Sequence, residues 1–257
     1  MRKWVVAFIT VMLPSLCFAQ DDTFGTILSV EGTHDIDKRW NAGLELEMRT
    51  RNGMADVERL SAGVDVSYKI SPWLKASCGY TFIGDHRRRV SHYKEGDRDV
   101  VKGLAEIGDP KNRRIYWGVR NRTHLSLTAT WKTGNLKLSL RERWQYTYRP
   151  EKTVARWDFD NSWWEDKARA GKGKNQLRSR LQIEYDKKKA LLTPYASVEF
   201  YNSMAIEKIR YTAGTDINVK KNHTFNIFYR YQNMKNVEDG DYEPDMHYLG
   251  VGYKVKF

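Results

Sequence analysis

A histidine and a serine two residues apart, His124 and Ser126, are the pair in this sequence best placed for nucleophilic chemistry. An imidazole can take the proton of a nearby hydroxyl, and on an extended strand residues i and i+2 share one face. A larger set is formed by Glu45, Glu47, Arg49, Asp65, Arg141, Arg143, Arg178, Arg180, Glu184, Glu199, Arg210 and Arg230, many of them two apart within separate segments. Guanidinium and carboxylate groups form bidentate, charge-assisted pairs. Facing members of this set can therefore staple neighbouring strands, line a selective pore or bind an anionic solute. No phosphate loop, dinucleotide fingerprint or zinc-ligand spacing is present. The acidic stretch Glu238, Asp239, Asp241, Glu243 and Asp245 lacks the spacing of a calcium loop. Neither a cofactor nor a metal is expected.

These residues sit in segments that alternate with period two. In WNAGLELEMRTR, Trp40, Ala42, Leu44, Leu46 and Met48 share one face, while Glu45, Glu47, Arg49 and Arg51 share the other. That is the signature of a strand with one apolar and one charged side. It recurs at about residues 60–70, 74–82, 115–132, 136–149, 175–186, 192–202, 206–219, 223–233 and 246–257. Charged residues make up 30% of the chain, yet away from segment ends the apolar parity carries a charge at Glu142 alone. A lipid-facing strand surface requires such exclusion, because charge there costs about 2–4 kcal/mol at the midplane. A two-sheet sandwich also alternates. Its solvated face would favour Lys, Thr and Ser, whereas here the polar face is rich in Arg and Glu of both signs. The pattern predicts an all-β, transmembrane, up-and-down antiparallel β-barrel with a charged lumen. A mean hydropathy of −0.70 is then the average of two opposite faces and no sign of solubility.

Tight polar turns at Ser71-Pro72, Thr133-Gly134-Asn135, Lys187–Lys189 and Lys220-Lys221-Asn222 alternate with longer links at about 84–114, 149–174 and 234–245. Short turns on one side and long loops on the other match the two ends of an outer-membrane barrel. Trp40, Trp73, Trp117, Trp131, Trp144, Tyr146 and Tyr148 lie on the lipid parity, as aromatic girdles do. FGTILSVE, residues 24–31, also alternates and would make an odd number of strands. With an even number expected, it is read as lying outside the wall, giving about ten strands, or twelve if one is hidden within 84–114.

At the amino terminus, Arg2 and Lys3 precede the apolar run WVVAFITVML and the small residue Ala19. This is the pattern of a secretory signal peptide cut after residue 19, leaving 20–257 as one barrel domain. Cys78 is then the one remaining cysteine, so no intrachain disulfide can form. The net charge of +12 and pI near 9.5 would suit a nucleic-acid partner, but an exported chain has none to meet. The basic link with Arg87, Arg88, Arg89, His92 and Lys94 could touch lipopolysaccharide phosphates. Trp157, Phe159, Trp163 and Trp164 in the next link either contact a glycan or partner or fold over the barrel mouth.

The final segment, HYLGVGYKVKF, aligns Tyr253, Val255 and the terminal Phe257 on one face. It resembles the signal by which Gram-negative outer-membrane proteins are recognised by the barrel-assembly machinery. WNAGLELEMRTR together with LKLSLRERWQY, LRSRLQIEY, PYASVEFY and IRYTAGTDINV resembles the outer-membrane barrel family called domain of unknown function 2490. That resemblance implies an outer-membrane location among lipids and lipopolysaccharide, and it transfers no catalytic residues. His124 and Ser126 resemble the catalytic pair of outer-membrane phospholipases and lipid A deacylases, where the pair lies on the lipid side. Here Leu125, Leu127, Ala129 and Trp131 take that side, which sends His124 and Ser126 into the lumen.

Three function classes follow. The first is a structural or surface-interaction barrel whose lumen is closed by Arg/Glu salt bridges. The second is a narrow channel for small solutes, and the third a lipid-modifying enzyme. The first is favoured, so Ser126→Ala should leave phospholipid and lipid A turnover by purified protein at the level of the wild type. A measurable wild-type turnover that vanishes in the variant would establish the enzyme instead.

Overall fold

The computed structural model describes residues 23–187, 190–235 and 244–257, apart from the side chains of Arg89 and Lys220. The expected leader at 1–19 lies outside the described residues, as do Glu238, Asp239, Asp241 and Glu243. Strand β1 spans Phe24–Asp35, β2 Trp40–Arg51, β3 Asp56–Lys69, β4 Leu74–His92, β5 Pro110–Thr133 and β6 Leu136–Arg149. Then follow β7 at Lys152–Asp158, β8 at Trp163–Arg169, β9 at Lys172–Tyr185 and β10 at Leu192–Asn202. Strands β11 at Ile206–Lys220, β12 at His223–Met234 and β13 at Met246–Lys256 complete the sheet, and a four-residue helix, α1, covers Arg98–Val101.

Eleven of the strands close a ring in the order β1-β2-β3-β4-β5-β6-β9-β10-β11-β12-β13, with β13 returning to β1. Every neighbouring pair is antiparallel except the last. Strand β1 runs parallel to β13, from Phe24 beside His247 to Thr33 beside Lys256. The count of eleven lies between the ten and twelve expected, because residues 24–31 do belong to the wall. A parallel closing pair lets both ends of the ring run in one direction, so an odd number leaves no unpaired edge. The closure continues past the ladder: Phe257 N–H donates to the Thr33 carbonyl at 2.9 Å, and Lys256 Nζ meets Asp35 at 2.6 Å.

The alternation places apolar side chains outside and polar ones inside. Leu44 and Leu46 on β2 are each 49% exposed, and Leu125 on β5 is 57% exposed, whereas Ser126 beside it is 5% exposed. A soluble fold does the reverse, so this is a barrel whose outer surface meets hydrocarbon. Trp40, Trp73 and Trp131 ring the short-turn end, while Trp117, Trp144, Tyr146 and Tyr148 form a second belt toward the other end. The charged exception on the lipid face, Glu142, is held by the Ser179 hydroxyl across the β6–β9 pair at 2.6 Å. That bond satisfies one oxygen where water is absent.

One end of the barrel carries the connections 36–39, 70–73, 134–135, 186–191 and 221–222, all short. In the first, the Asp37 carboxylate accepts the backbone N–H of Trp40 at 2.7 Å and of Arg39 at 2.6 Å, and these bonds hold it below the usual carboxylate range. Gly134 supplies the left-handed φ of +60° that the two-residue turn needs. The opposite end is mixed. It has two tight turns, at 52–55 and 203–205, besides the three long connections. The first two of those links are also less loop-like than their sequence suggests. Residues 84–92 and 110–114 continue β4 and β5 beyond the wall, and β7 and β8 form a hairpin paired to β5 through Asn112, Arg113 and Arg114. Charge density at 84–92 hides the strand, because both faces of a protruding hairpin are wet.

Ring closure makes a geometric prediction. With Cys78→Ser as background, cysteines at Leu28 and Val251, which are direct partners, should cross-link under mild oxidation and shift mobility on non-reducing gels. Cysteines at Leu28 and Val255, two pleats out of register, should not. Cross-linking of the second pair alone would contradict the parallel closure.

Candidate functional site

The lumen is where the polar residues converge. Glu199 on β10 is its central carboxylate, only 4% exposed. Arg178 of β9 donates to both of its oxygens at 2.9 Å, Arg141 of β6 to one at 2.5 Å, and Arg210 of β11 to the other at 3.4 Å. The Tyr201 hydroxyl adds a bond at 2.7 Å. Register explains the convergence, because Arg141 pairs with Arg180, Arg180 with Glu199, and Glu199 with Arg210 along one level of four strands. Tyr201, one pleat along, gives its ring to Arg178, Lys208 and Arg210 at 4.5, 4.4 and 4.9 Å, contacts that a buried cation and an aromatic face both favour.

From this hub a chain of amides continues toward the longer loops. Arg178 donates to Gln145 at 3.2 Å, Gln145 to Gln176 at 2.7 Å, and Gln176 to Glu207 at 2.6 Å, with Lys174 also on Glu207 at 2.5 Å. On the opposite wall a second hub forms at Asp85 of β4, 3% exposed. Arg59 donates to it at 2.6 Å, Arg120 is in ion contact, and Arg87 lies at 3.5 Å. Arg49 pairs with Glu47 along β2 at 2.7 Å.

Of the charged residues expected to line the lumen, Arg141, Arg178, Glu199 and Arg210 share one network, and Glu47 and Arg49 form a pair. Glu184 instead meets Lys137 at 3.3 Å near the short-turn end. Arg143 reaches Ser126 at 2.8 Å, and Arg230 reaches Thr212 at 3.4 Å while covering the Phe228 ring at 4.8 Å. Arg180, Glu45 and Asp65 enter no ion pair among the described residues, and Asp65 leans across Gly43, where a Cβ would stand 2.5 Å from its Oδ1. Asp85 escaped the sequence reading because it falls in a stretch taken for loop. Arg59 did so because it sits just before its segment. Arg120, Arg122 and Tyr201 share the luminal parity and were legible by period two alone.

His124 and Ser126 both point inward, as the alternation requires, and are 7% and 5% exposed. The structure does not couple them. Ser126 Oγ is held by Arg143, and both ring nitrogens of His124 lack a hydrogen-bond partner among the described residues. The ring fits because Gly79 lies opposite it; a Cβ there would stand 2.6 Å from His124 Cε1 and 2.6 Å from the Val64 carbonyl.

Tyr253 and Val255 lie on successive outward positions of β13 and Phe257 follows just past its end, with Tyr253 bonded to His223 at 2.6 Å and packed on Phe225 at 5.2 Å. At the longer-loop end, Trp157 and Trp164 make an edge contact at 5.5 Å across the β7–β8 hairpin, and Trp163 and Trp164 stay more than half exposed. The hairpin thus extends the sheet at β5. Tyr93 of the neighbouring loop donates to Asp160 of the hairpin tip, and that bond pushes the phenol's pKa up. Asp245, the described member of the acidic stretch, is taken up by Tyr231, Asn233 and the Met234 backbone at 2.6–2.7 Å.

The sequence profile of a protein family of unknown function, DUF2490, matches residues 24–243. No curated protein matches the chain. Among solved structures, the chain is similar to the β-domain of the Bordetella autotransporter BrkA, at 14% identity and a TM-score of 0.52. That match covers 85% of this chain and 83% of the other. The NanC porin is similar at 14% identity, covering 91% and 97%, with a TM-score of 0.48. At these identities the likeness to the autotransporter domain is one of fold, and it agrees with the barrel described above.

The Glu199 hub predicts a large stability effect. Glu199→Ala leaves three guanidiniums, those of Arg178 and Arg210 buried, without their carboxylate, which should destabilise the refolded barrel by about 3–5 kcal/mol, read as a lower urea midpoint for the heat-modifiable band. An unchanged midpoint would show that the hub is not load-carrying.

Proposed function

Starting from the family to which the chain belongs, DUF2490, which brings no assigned chemistry with it, we propose that this protein is an outer-membrane barrel closed at mid-lumen and acting at the cell surface. Its short turns would face the periplasm and its longer hairpins the exterior, the arrangement usual for such barrels. The leader at 1–19 would direct export, and the last strand with Tyr253, Val255 and Phe257 would be read by the barrel-assembly machinery. Lipopolysaccharide would surround the outer rim.

The observation that carries this reading is the burial of polar luminal side chains from opposite walls, over neighbouring registers around Glu199. Arg49 on β2, Ser126 on β5, Gln145 on β6, Arg178 on β9, Glu199 on β10 and Arg210 on β11 are each less than 10% exposed. Side chains this inaccessible inside a barrel support a lumen filled around Glu199 by its own residues. The bidentate Arg178–Glu199 contact and its two further arginines hold the filling in place, since parting them would strand charge in a poorly hydrated site. A closed floor leaves the outer half of the lumen and the β7–β8 hairpin as the surfaces that can meet a partner. Ser126, already engaged by Arg143, gives the enzyme reading no support.

Purified protein in a planar bilayer should show little or no stable conductance in monovalent salt. Steady, reproducible single-channel steps from wild-type protein would contradict the closed floor.

A further inference from the structure

On the long-loop side of the Glu199 layer lies a cavity of about 250 Å³, bounded by Arg178 and Arg210 on one wall and by Arg49, Arg59 and Arg120 on the other. Its carboxylates are Asp85 and Glu207, and both are occupied, by Arg59 and Arg120 and by Lys174 and Gln176 respectively. Glu199, just beneath, is shared among three guanidiniums. Arg122, also lining the cavity, meets no carboxylate among the described residues; its Nε donates to the Thr147 hydroxyl at 3.1 Å. Positive charge in this space therefore exceeds what the protein's own carboxylates neutralise.

A second, independent observation concerns donors. The Nε atoms of Arg120, Arg178 and Arg210 are buried without a hydrogen-bond partner among the described residues, although Arg178 and Arg210 are themselves at least nine-tenths buried. Buried N–H groups left unsatisfied are costly, more so when charged, and clustered cations repel in a poorly hydrated site. Both penalties are relieved by the same thing, an anion with several acceptor oxygens, for which the planar guanidinium is the best-suited donor.

We propose that this cavity binds a compact polyanion, a molecule bearing phosphate or clustered carboxylate groups, with Arg122 as the cation that the protein leaves for it. The proposal rests on the closed-floor reading for its character as a receptor site rather than a station in a pore. The volume admits one small multiply charged group. Arg120 and Arg59 would approach it from the Asp85 side and Arg178 and Arg210 from the Glu199 side. The same phosphate chemistry is offered by a free solute and by a lipid headgroup.

The test is titration of inorganic pyrophosphate into the full barrel in an uncharged detergent at low ionic strength, followed by calorimetry. Saturable binding is expected, weakened about tenfold or more by Arg122→Gln, as loss of a charge-assisted contact implies, and partly restored by Arg122→Lys. Lys137→Gln, which removes a cation from the far end of the lumen, should leave the affinity unchanged. Heat-modifiable mobility on gels confirms that each variant is folded. Absence of saturable binding, or an equal loss in Arg122→Gln and Lys137→Gln, would overturn the proposal. Competition by lipopolysaccharide assigns the bound group to a lipid headgroup, and its absence to a free solute. Were the floor open, bilayer currents would be seen; pyrophosphate block of those currents, lost in Arg122→Gln, would uphold the anion site while rejecting the closed floor.

Discussion

In hydrocarbon a peptide N–H or carbonyl has no water to turn to, so every strand in this wall must be paired on both sides. That requirement forces the ring to close, and the ring closes where β1 and β13 run side by side in parallel. Everything else follows from closure. Once the sheet has no edge, its two faces become an outside and an inside, and the period of two sorts the side chains between them. Leucines, tryptophans and tyrosines meet lipid. Arginines, glutamines and carboxylates are confined in a space too narrow for each to keep its own water.

Confinement is what makes the lumen chemistry unlike that of a surface. An exposed Arg–Glu pair contributes little, since water screens it and both side chains lose freedom. Glu199 is different: nearly inaccessible, it is bound by three guanidiniums and a phenol. Removing it would strand positive charge rather than merely delete a contact. The same crowding has a second effect on the long-loop side, where among the described residues Arg122 meets no carboxylate and the Nε atoms of Arg120, Arg178 and Arg210 find no hydrogen-bond partner. A barrel selected only for stability would place Gln, Thr or a matching Glu there. Uncompensated positive charge in a luminal cavity is the feature a plug does not need and a ligand does.

Much of this was readable from alternation. The ten segments of period two are all wall strands, the girdle aromatics face outward, and parity alone makes Glu199, Arg178, Arg141 and Arg210 luminal. Alternation failed where both faces of a strand are polar. Residues 84–92 carry Asp85, His86, Arg87 and Arg88 in succession, so the outer end of β4, and with it the Asp85 hub, read as loop. The strand number was missed for another reason. The sequence marks β1 as clearly as its neighbours, but an assumption of even count excluded it, and nothing local tells a parallel neighbour from an antiparallel one. Pairings within the lumen were out of reach too, because parity gives the face of a residue and only register gives its level.

A barrel open to one side and filled around Glu199 should admit reagents to one half of its lumen only. Side-selective labelling tests it most directly. In a Cys78→Ser background, a cysteine at Met234, which lines the outer cavity, is compared with one at Gln182, a luminal residue near Glu184 on the short-turn side. A membrane-impermeant thiol reagent is added to intact cells displaying either variant. The structure predicts rapid modification at position 234 and none at position 182 until the membrane is broken. Comparable labelling of both from outside would contradict it.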